Sequence, residues 1–172
     1  MLNGRMLHVG CGGDTLPDWA ANCDEVRLDI DRRWNPDIVG NITDLSDVCE
    51  YDFIYGAHVL EHVFPHEVKI ALKGFLRALK PGGTVLMFVP DLEDIKPSHD
   101  VLYDCMGGTV SGLDMFYGHG QLVEVNPFMA HRTGFTRDLL ETEFKEAGFV
   151  GITGTRLSNY SLMVCGKKER EL

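Results

Sequence analysis

The apolar run Leu7–Val9 leads directly into Gly10-Cys11-Gly12-Gly13-Asp14. A glycine cluster after a strand lets backbone approach a ligand closely and turns its amides toward it. Asp29 follows 19 residues beyond Gly10, at the end of the next β-like run. A carboxylate there can accept both hydroxyls of a ribose in the crevice at the strand ends of an open α/β sheet. The pair therefore points to a site for a nucleoside cofactor. The dinucleotide fingerprint needs glycine at position 15, where Thr15 stands, and the chain has no Gly-Lys-Ser/Thr phosphate loop. No Tyr-x-x-x-Lys pair occurs either, which weighs against the rival reading of an NAD-dependent oxidoreductase. S-adenosylmethionine, a nucleoside carrying a sulfonium cation, needs no basic pyrophosphate partners and suits an acidic protein.

A proton-transfer group is expected among the histidines. His119 lies between glycines in Tyr117-Gly118-His119-Gly120, a setting for an exposed and mobile imidazole. His131 is the second candidate catalytic residue, with His58 and Asp91 further options at strand ends. His58, His62 and His66 recur every fourth residue, but Pro65 breaks the helix that would align them, so no metal site is expected. Asp91, Glu93 and Asp94 could hold a cation or amine, or be simply solvated. Phe116, Tyr117 and Phe128 could wall a substrate pocket or pack a lid.

These groups need an α/β scaffold, and the chain has the pattern of one. Strands are expected at Arg5–Val9, Glu25–Ile30, Asp37–Gly40, Tyr51–Gly56 and Thr84–Val89, the last buried on both faces. A helix from Pro65 to Leu79 carries Val68, Leu72, Phe75, Leu76 and Leu79 at helical spacing and stops at Lys80-Pro81-Gly82-Gly83. A second helix starts from Thr136 as N-cap and ends at Gly148. Phe149–Thr155 and Ser161–Cys165 make a closing antiparallel hairpin. Between Pro90 and Thr133 periodicity is poor, so residues 91–133 are read as a lid or substrate insertion.

With 172 residues and 44% hydrophobic side chains, the chain is expected to form one domain over 1–172. Its formal charge of -10 disfavours phosphate-neutralising nucleic-acid binding and anionic membrane surfaces. Five scattered cysteines without a CxxC, and no signal-peptide-like start, lead to the expectation of a cytoplasmic protein.

The series HVGCGG, VRLDID, GNITDL, YDFIYGAHVLEHV, LKPGGTVLMFVPD and FTRDLLETEFKEAGF resembles the motif series of class I S-adenosylmethionine-dependent methyltransferases. It is most similar to the small "methyltransferase type 11" group, related to quinone-biosynthesis methyltransferases and to small enzymes found near surface-polysaccharide genes. The resemblance covers about residues 5–166 apart from the insertion. It implies a Rossmann-like fold: a seven-stranded, mostly parallel sheet, the last strand antiparallel, with helices on both faces. Gly10, Cys11 and Gly12 would wrap the methionine part of the cofactor, Asp29 would hold the ribose, and Ile30 would pack near the adenine. Asn41 and Ile42 would meet the adenine edge, Asn41 standing where relatives often carry an acid. Gly56, Ala57 and His58 would face the amino group and sulfur. The implied activity is methyl transfer to a small molecule or glycan, most readily at oxygen. The alternative is a binding or regulatory subunit that keeps the fold without turnover. Relatives carry a helix ahead of the first strand that this chain lacks, which leaves room for a homodimer that covers the site.

Overall fold

The computed structural model describes residues 2–105 and 108–170. Its centre is a seven-stranded sheet in the order β3-β2-β1-β4-β5-β9-β8. The strands are β1 (Arg5–Val9), β2 (Asp24–Asp29), β3 (Ile38–Val39), β4 (Tyr51–Ala57), β5 (Leu79–Pro90), β8 (Val150–Arg156) and β9 (Ser161–Lys167). The first five run parallel, whereas β9 is antiparallel to both β5 and β8. This order places β1 at the point where the chain turns from one half of the sheet to the other, so the crevice above β1 and β4 lies open at their carboxyl ends.

Two long helices cover one side. Helix α1 (Pro65–Ala78) opens with proline in its first turn, and the Glu67 carboxylate reaches back to accept from the Phe64 amide at 2.9 Å. It buries Val68, Ala71, Leu72, Phe75 and Ala78, and leaves Ile70 on the outer face. The chain enters β5 at Leu79 without an intervening turn, so Lys80-Pro81-Gly82-Gly83 belongs to the strand rather than to a helix stop. Lys168 donates its ammonium to the carbonyls of Arg77 and Leu79 at 3.3 and 2.6 Å, satisfying the helix end. Helix α4 (Arg137–Ala147) is capped by Thr136 and by Gly148 in left-handed geometry, at the expected bounds.

α1 and α4 pack against each other and against β5, β8 and β9. Their side of the sheet is sealed, with Val85, Met87, Val89, Leu162 and Val164 fully buried. The resemblance implied helices on both faces, and the two long ones share this one. On the opposite side Phe53, Tyr55, Leu86 and Phe88 are only half-buried, with Trp19 packed edge-on against Tyr55. Thr84–Val89 is therefore sealed on one face and partly open on the other, because among the described residues no long helix lies over that side.

The expected insertion contains regular structure of its own. A hairpin of β6 (Val101–Cys105) and β7 (Gly108–Ser111) leads into two short helices, α2 (Gly112–Tyr117) and α3 (Gly120–Val125). Among the described residues, no helix is long and apolar enough to cross a membrane.

Candidate cofactor cleft and active site

The loop after β1 is folded by three independent ties. Gly10 takes φ +62° and lies against Val59, and Gly12 takes φ +47°. The Gly12 amide donates to Asp29 Oδ2 at 2.8 Å. Arg27, on β2, donates to the carbonyls of Gly12 and Asp14 at 2.7 and 2.8 Å. Asp29 is almost fully buried and uses its second oxygen, Oδ1, to accept from the Asp31 amide at 2.8 Å. Each oxygen of this carboxylate thus keeps a lone pair for a further donor. A Cβ added at Gly12 would meet nothing within 4 Å, so the loop presents bare backbone to open space.

That space is a cleft of about 390 Å³ at the carboxyl ends of β1, β2 and β4. Gly10, Gly12, Asp29, Ile30, Asn41, Ile42, Ala57 and His58 all line it. Cys11 and Gly56, also expected there, do not. Cys11 is buried beneath the loop, and that burial pushes its thiol pKa up. Gly56 packs between Val9 and Met87 inside the sheet. Asn41 Oδ1 accepts from the Thr43 amide at 3.1 Å, which fixes its side chain at the cleft wall. Arg27 and Trp34 were not foreseen as site residues. Trp34 lines the cleft and its ring covers Gly13, yet a lone exposed tryptophan has no spacing signature.

Glycine at position 10 is required sterically. An alanine Cβ there would stand 2.3 Å from Val59 Cγ2 in a left-handed conformation. Gly10→Ala should lower stability by about 2 kcal/mol, combining left-handed strain with overpacking. Urea denaturation checks this, and adding Val59→Ala should relieve only part of the clash, because Val59 Cβ itself would stand 2.6 Å from the new Cβ.

Beyond β4 the chain takes an uncommon turn. His58 adopts φ +53°, and its amide donates to the Phe88 carbonyl at 2.9 Å. A short 3-10 turn, Leu60–His62, then buries Glu61 to 1% exposure. The Glu61 carbonyl accepts from the amides of Arg132 and Thr133 at 2.8 and 3.1 Å, and Thr133 Oγ1 donates to the Val63 carbonyl at 2.6 Å. These bonds sew the end of the 91–133 segment onto the β4–α1 turn.

The consequence is a cluster that local spacing does not reveal. His131 is brought beside Glu61 and His62, and the two imidazole rings stand 5.2 Å apart. His62 Nδ1 bonds the Ala130 carbonyl at 3.1 Å and His131 Nδ1 bonds the Met115 carbonyl at 2.9 Å. Among the described residues neither carboxylate oxygen of Glu61 has a hydrogen-bond partner, and His58 Nδ1 stands 3.4 Å from Oε1. Burial works against ionisation of Glu61, yet His58, His62 and His131 outweigh it and hold its pKa below the ordinary value. Burial also opposes a charged His58, but the Glu61 carboxylate prevails and its pKa is raised. For His131 burial wins, and its pKa is lowered.

A second cavity of about 410 Å³ adjoins this cluster, walled by Phe116, Tyr117, Leu92 and Leu139, with His131 on its surface. Arg132 lines both cavities. Phe128 faces the cofactor cleft instead of this wall. His119 lines neither. It is half-buried at the start of α3, its Nδ1 enclosed and without a hydrogen-bond partner among the described residues, not the exposed imidazole its glycines suggested. The acidic group after β5 is spoken for as well. Arg156 pairs with Asp91 and with Asp94, and Asp91 is itself buried.

Comparison with known proteins agrees with this fold. Similar solved structures include an S-adenosylmethionine-dependent methyltransferase from Archaeoglobus fulgidus, at 13% identity and TM-score 0.68, covering 95% of this chain and 86% of that one. Another from Mesorhizobium loti shares 15% identity at TM-score 0.66, covering 95% and 90%. A possible exported protein from Bordetella parapertussis shares 17% identity at TM-score 0.65; 96% of this chain aligns with it, spanning 62% of its length. These likenesses establish the fold. No curated protein sequence matches the chain. A sequence model described as a methyltransferase domain matches residues 2–153, nearly the whole length, and the chain belongs to that methyltransferase domain family.

Proposed function

We propose that this protein binds S-adenosylmethionine in the cleft above β1, β2 and β4 and transfers its methyl group to an oxygen of a small molecule or glycan. The observation that carries this reading is the Asp29 carboxylate, buried and oriented by the Gly12 and Asp31 amides beside the unobstructed face of Gly12. Its free lone pairs suit a ribose diol, and the bare loop suits an amino-acid tail lying against backbone. Ile30, Ile42 and Trp34 supply apolar surface for an adenine ring, and Asn41 a polar edge. The acidic net charge and the adjoining aromatic cavity support a small or carbohydrate acceptor over nucleic acid.

S-adenosylmethionine supplies a methyl carbon on a cationic sulfur. The acceptor oxygen forms a bond to that carbon while the carbon–sulfur bond breaks and its electron pair stays on sulfur, leaving a neutral thioether. The residues of this chain contribute mainly by fixing the two reactants in line, an effect worth up to roughly 7–11 kcal/mol. The second cavity would hold the acceptor, with Phe116 and Tyr117 against its apolar face. Loss of the hydroxyl proton falls to the cluster at the junction of the cavities. Of the two candidate histidines, His131 would take that role: it lines the second cavity, whereas His119 lines neither.

The test is incubation with methyl-labelled S-adenosylmethionine and a panel of phenols, sugars and amines. Label should pass to hydroxyl-bearing acceptors with stoichiometric formation of S-adenosylhomocysteine. Binding without transfer to any acceptor would instead support a non-catalytic subunit, and labelling confined to amines would overturn oxygen as the acceptor atom.

A further inference from the structure

We propose that Glu61, His62 and His131 bind one divalent transition-metal cation of the zinc class at the junction of the two cavities. One donor atom from each residue lies within 4.8 Å of the others. Three features make this a built site and not a chance cluster. Both histidines bond a backbone carbonyl through Nδ1, which places the proton on that nitrogen and leaves Nε2 with a free lone pair. That outer support is the usual arrangement around metal-binding imidazoles. Glu61 is 1% exposed, and among the described residues neither of its oxygens has a hydrogen-bond partner. A buried carboxylate without donors is destabilising, and a bound cation removes that cost.

The alternative is that His58 alone neutralises Glu61. Its Nδ1 stands 3.4 Å from Oε1, on a side chain that is 52% exposed. One long contact to one oxygen leaves the other unserved. It also gives no reason for two further imidazoles to stand beside the same carboxylate. We assign His58 the lesser role of positioning the carboxylate.

Two imidazoles and a carboxylate are a donor set for zinc and similar ions, bound at about 2.0–2.2 Å, with at least one coordination position left open. Donors around such an ion stand roughly 3.3–3.6 Å apart, so the three side chains must draw in by roughly an ångström on loading. His131 lines the acceptor cavity and His62 the cofactor cleft, so the open position lies between them. A hydroxyl coordinated there releases its proton to solvent at far lower pH than when free, as water does on zinc, where its pKa falls from about 15.7 to about 7. With the ion bound, His131 serves as ligand in place of proton acceptor, and the metal-bound oxygen is the nucleophile. This catalytic role rests on the proposed methyl transfer; the binding of the ion does not.

The experiment uses chelator-stripped full-length protein without S-adenosylmethionine. Zn²⁺ is titrated by calorimetry and Co²⁺ by its visible absorption bands. One equivalent of each should bind, and Co²⁺ should show the intense bands of low coordination number. Glu61→Gln, which preserves volume, and His131→Ala should each weaken Zn²⁺ binding by at least about 100-fold. His66→Ala, an exposed histidine on the neighbouring turn, should leave it unchanged. Absence of stoichiometric binding by the folded wild type would overturn the site. So would equal binding by wild type, Glu61→Gln and His131→Ala, which would place the ion on other histidines. S-adenosylhomocysteine affinity is measured on the same preparations. Metal binding without nucleoside binding would sink the catalytic role, whereas nucleoside binding without metal binding would sink the metal site alone.

Discussion

Asp29→Ala is expected to raise the dissociation constant for S-adenosylhomocysteine by about 100-fold or more, read by calorimetric titration. The carboxylate would contribute hydrogen bonds to two ribose hydroxyls, each worth about 1.5–3 kcal/mol when the acceptor is charged. Even the lower figure for both bonds amounts to roughly two factors of ten in affinity. The substitution also frees the Gly12 and Asp31 amides, which now donate to Oδ2 and Oδ1, so part of the loss would come from a loosened loop. Asp29→Asn separates the two contributions. It retains one acceptor oxygen and the side-chain volume, and should fall between wild type and alanine. An alanine variant that bound as tightly as wild type would mean that the ribose lies elsewhere.

Phe75→Ala should cost about 3–5 kcal/mol of folding stability. Phe75 is fully buried on the inner face of α1, within the main core cluster. Removing its ring leaves a cavity that helix and sheet cannot both collapse into. A typical domain holds only about 5–15 kcal/mol in total, so the midpoint of urea denaturation should fall sharply. Ile70→Ala on the same helix is the control: at 51% exposure it should cost less than about 1 kcal/mol. Equal losses at the two positions would show that α1 docks with a different face.

The parts of the fold written in local pattern were legible in the sequence. Thr136 and Gly148 bound α4 because capping depends on one or two residues. The β8–β9 hairpin follows from two apolar runs too close to cross over. The lining of the cleft was largely legible for the same reason: a glycine turn and the acid at the next strand end are adjacent in any parallel pair. What failed was what long-range contact decides. Leu86 and Phe88 are apolar, but hydrophobicity does not tell whether a helix covers them. The 91–133 segment folds its hairpin and short helices around glycines that blur any period. Arg27 binds the loop because β1 and β2 are neighbours in register. The Glu61–His131 pairing joins residues 70 apart, through amides that bond the Glu61 carbonyl. Of the every-fourth-residue stripe His58, His62 and His66, the fold brings His62 and His58 to Glu61 and leaves His66 exposed, while His131 joins them from the distant segment.

The central claim is that the cleft beside Asp29 is an S-adenosylmethionine site. Calorimetric titration of the folded wild-type protein with S-adenosylmethionine, S-adenosylhomocysteine and NAD⁺ tests it most directly. The account predicts one equivalent of each S-adenosyl compound, bound with a dissociation constant on the order of micromolar, or about -8 kcal/mol, and no heat from NAD⁺. Silence toward both S-adenosyl compounds, or saturable binding of NAD⁺ in their place, would contradict it.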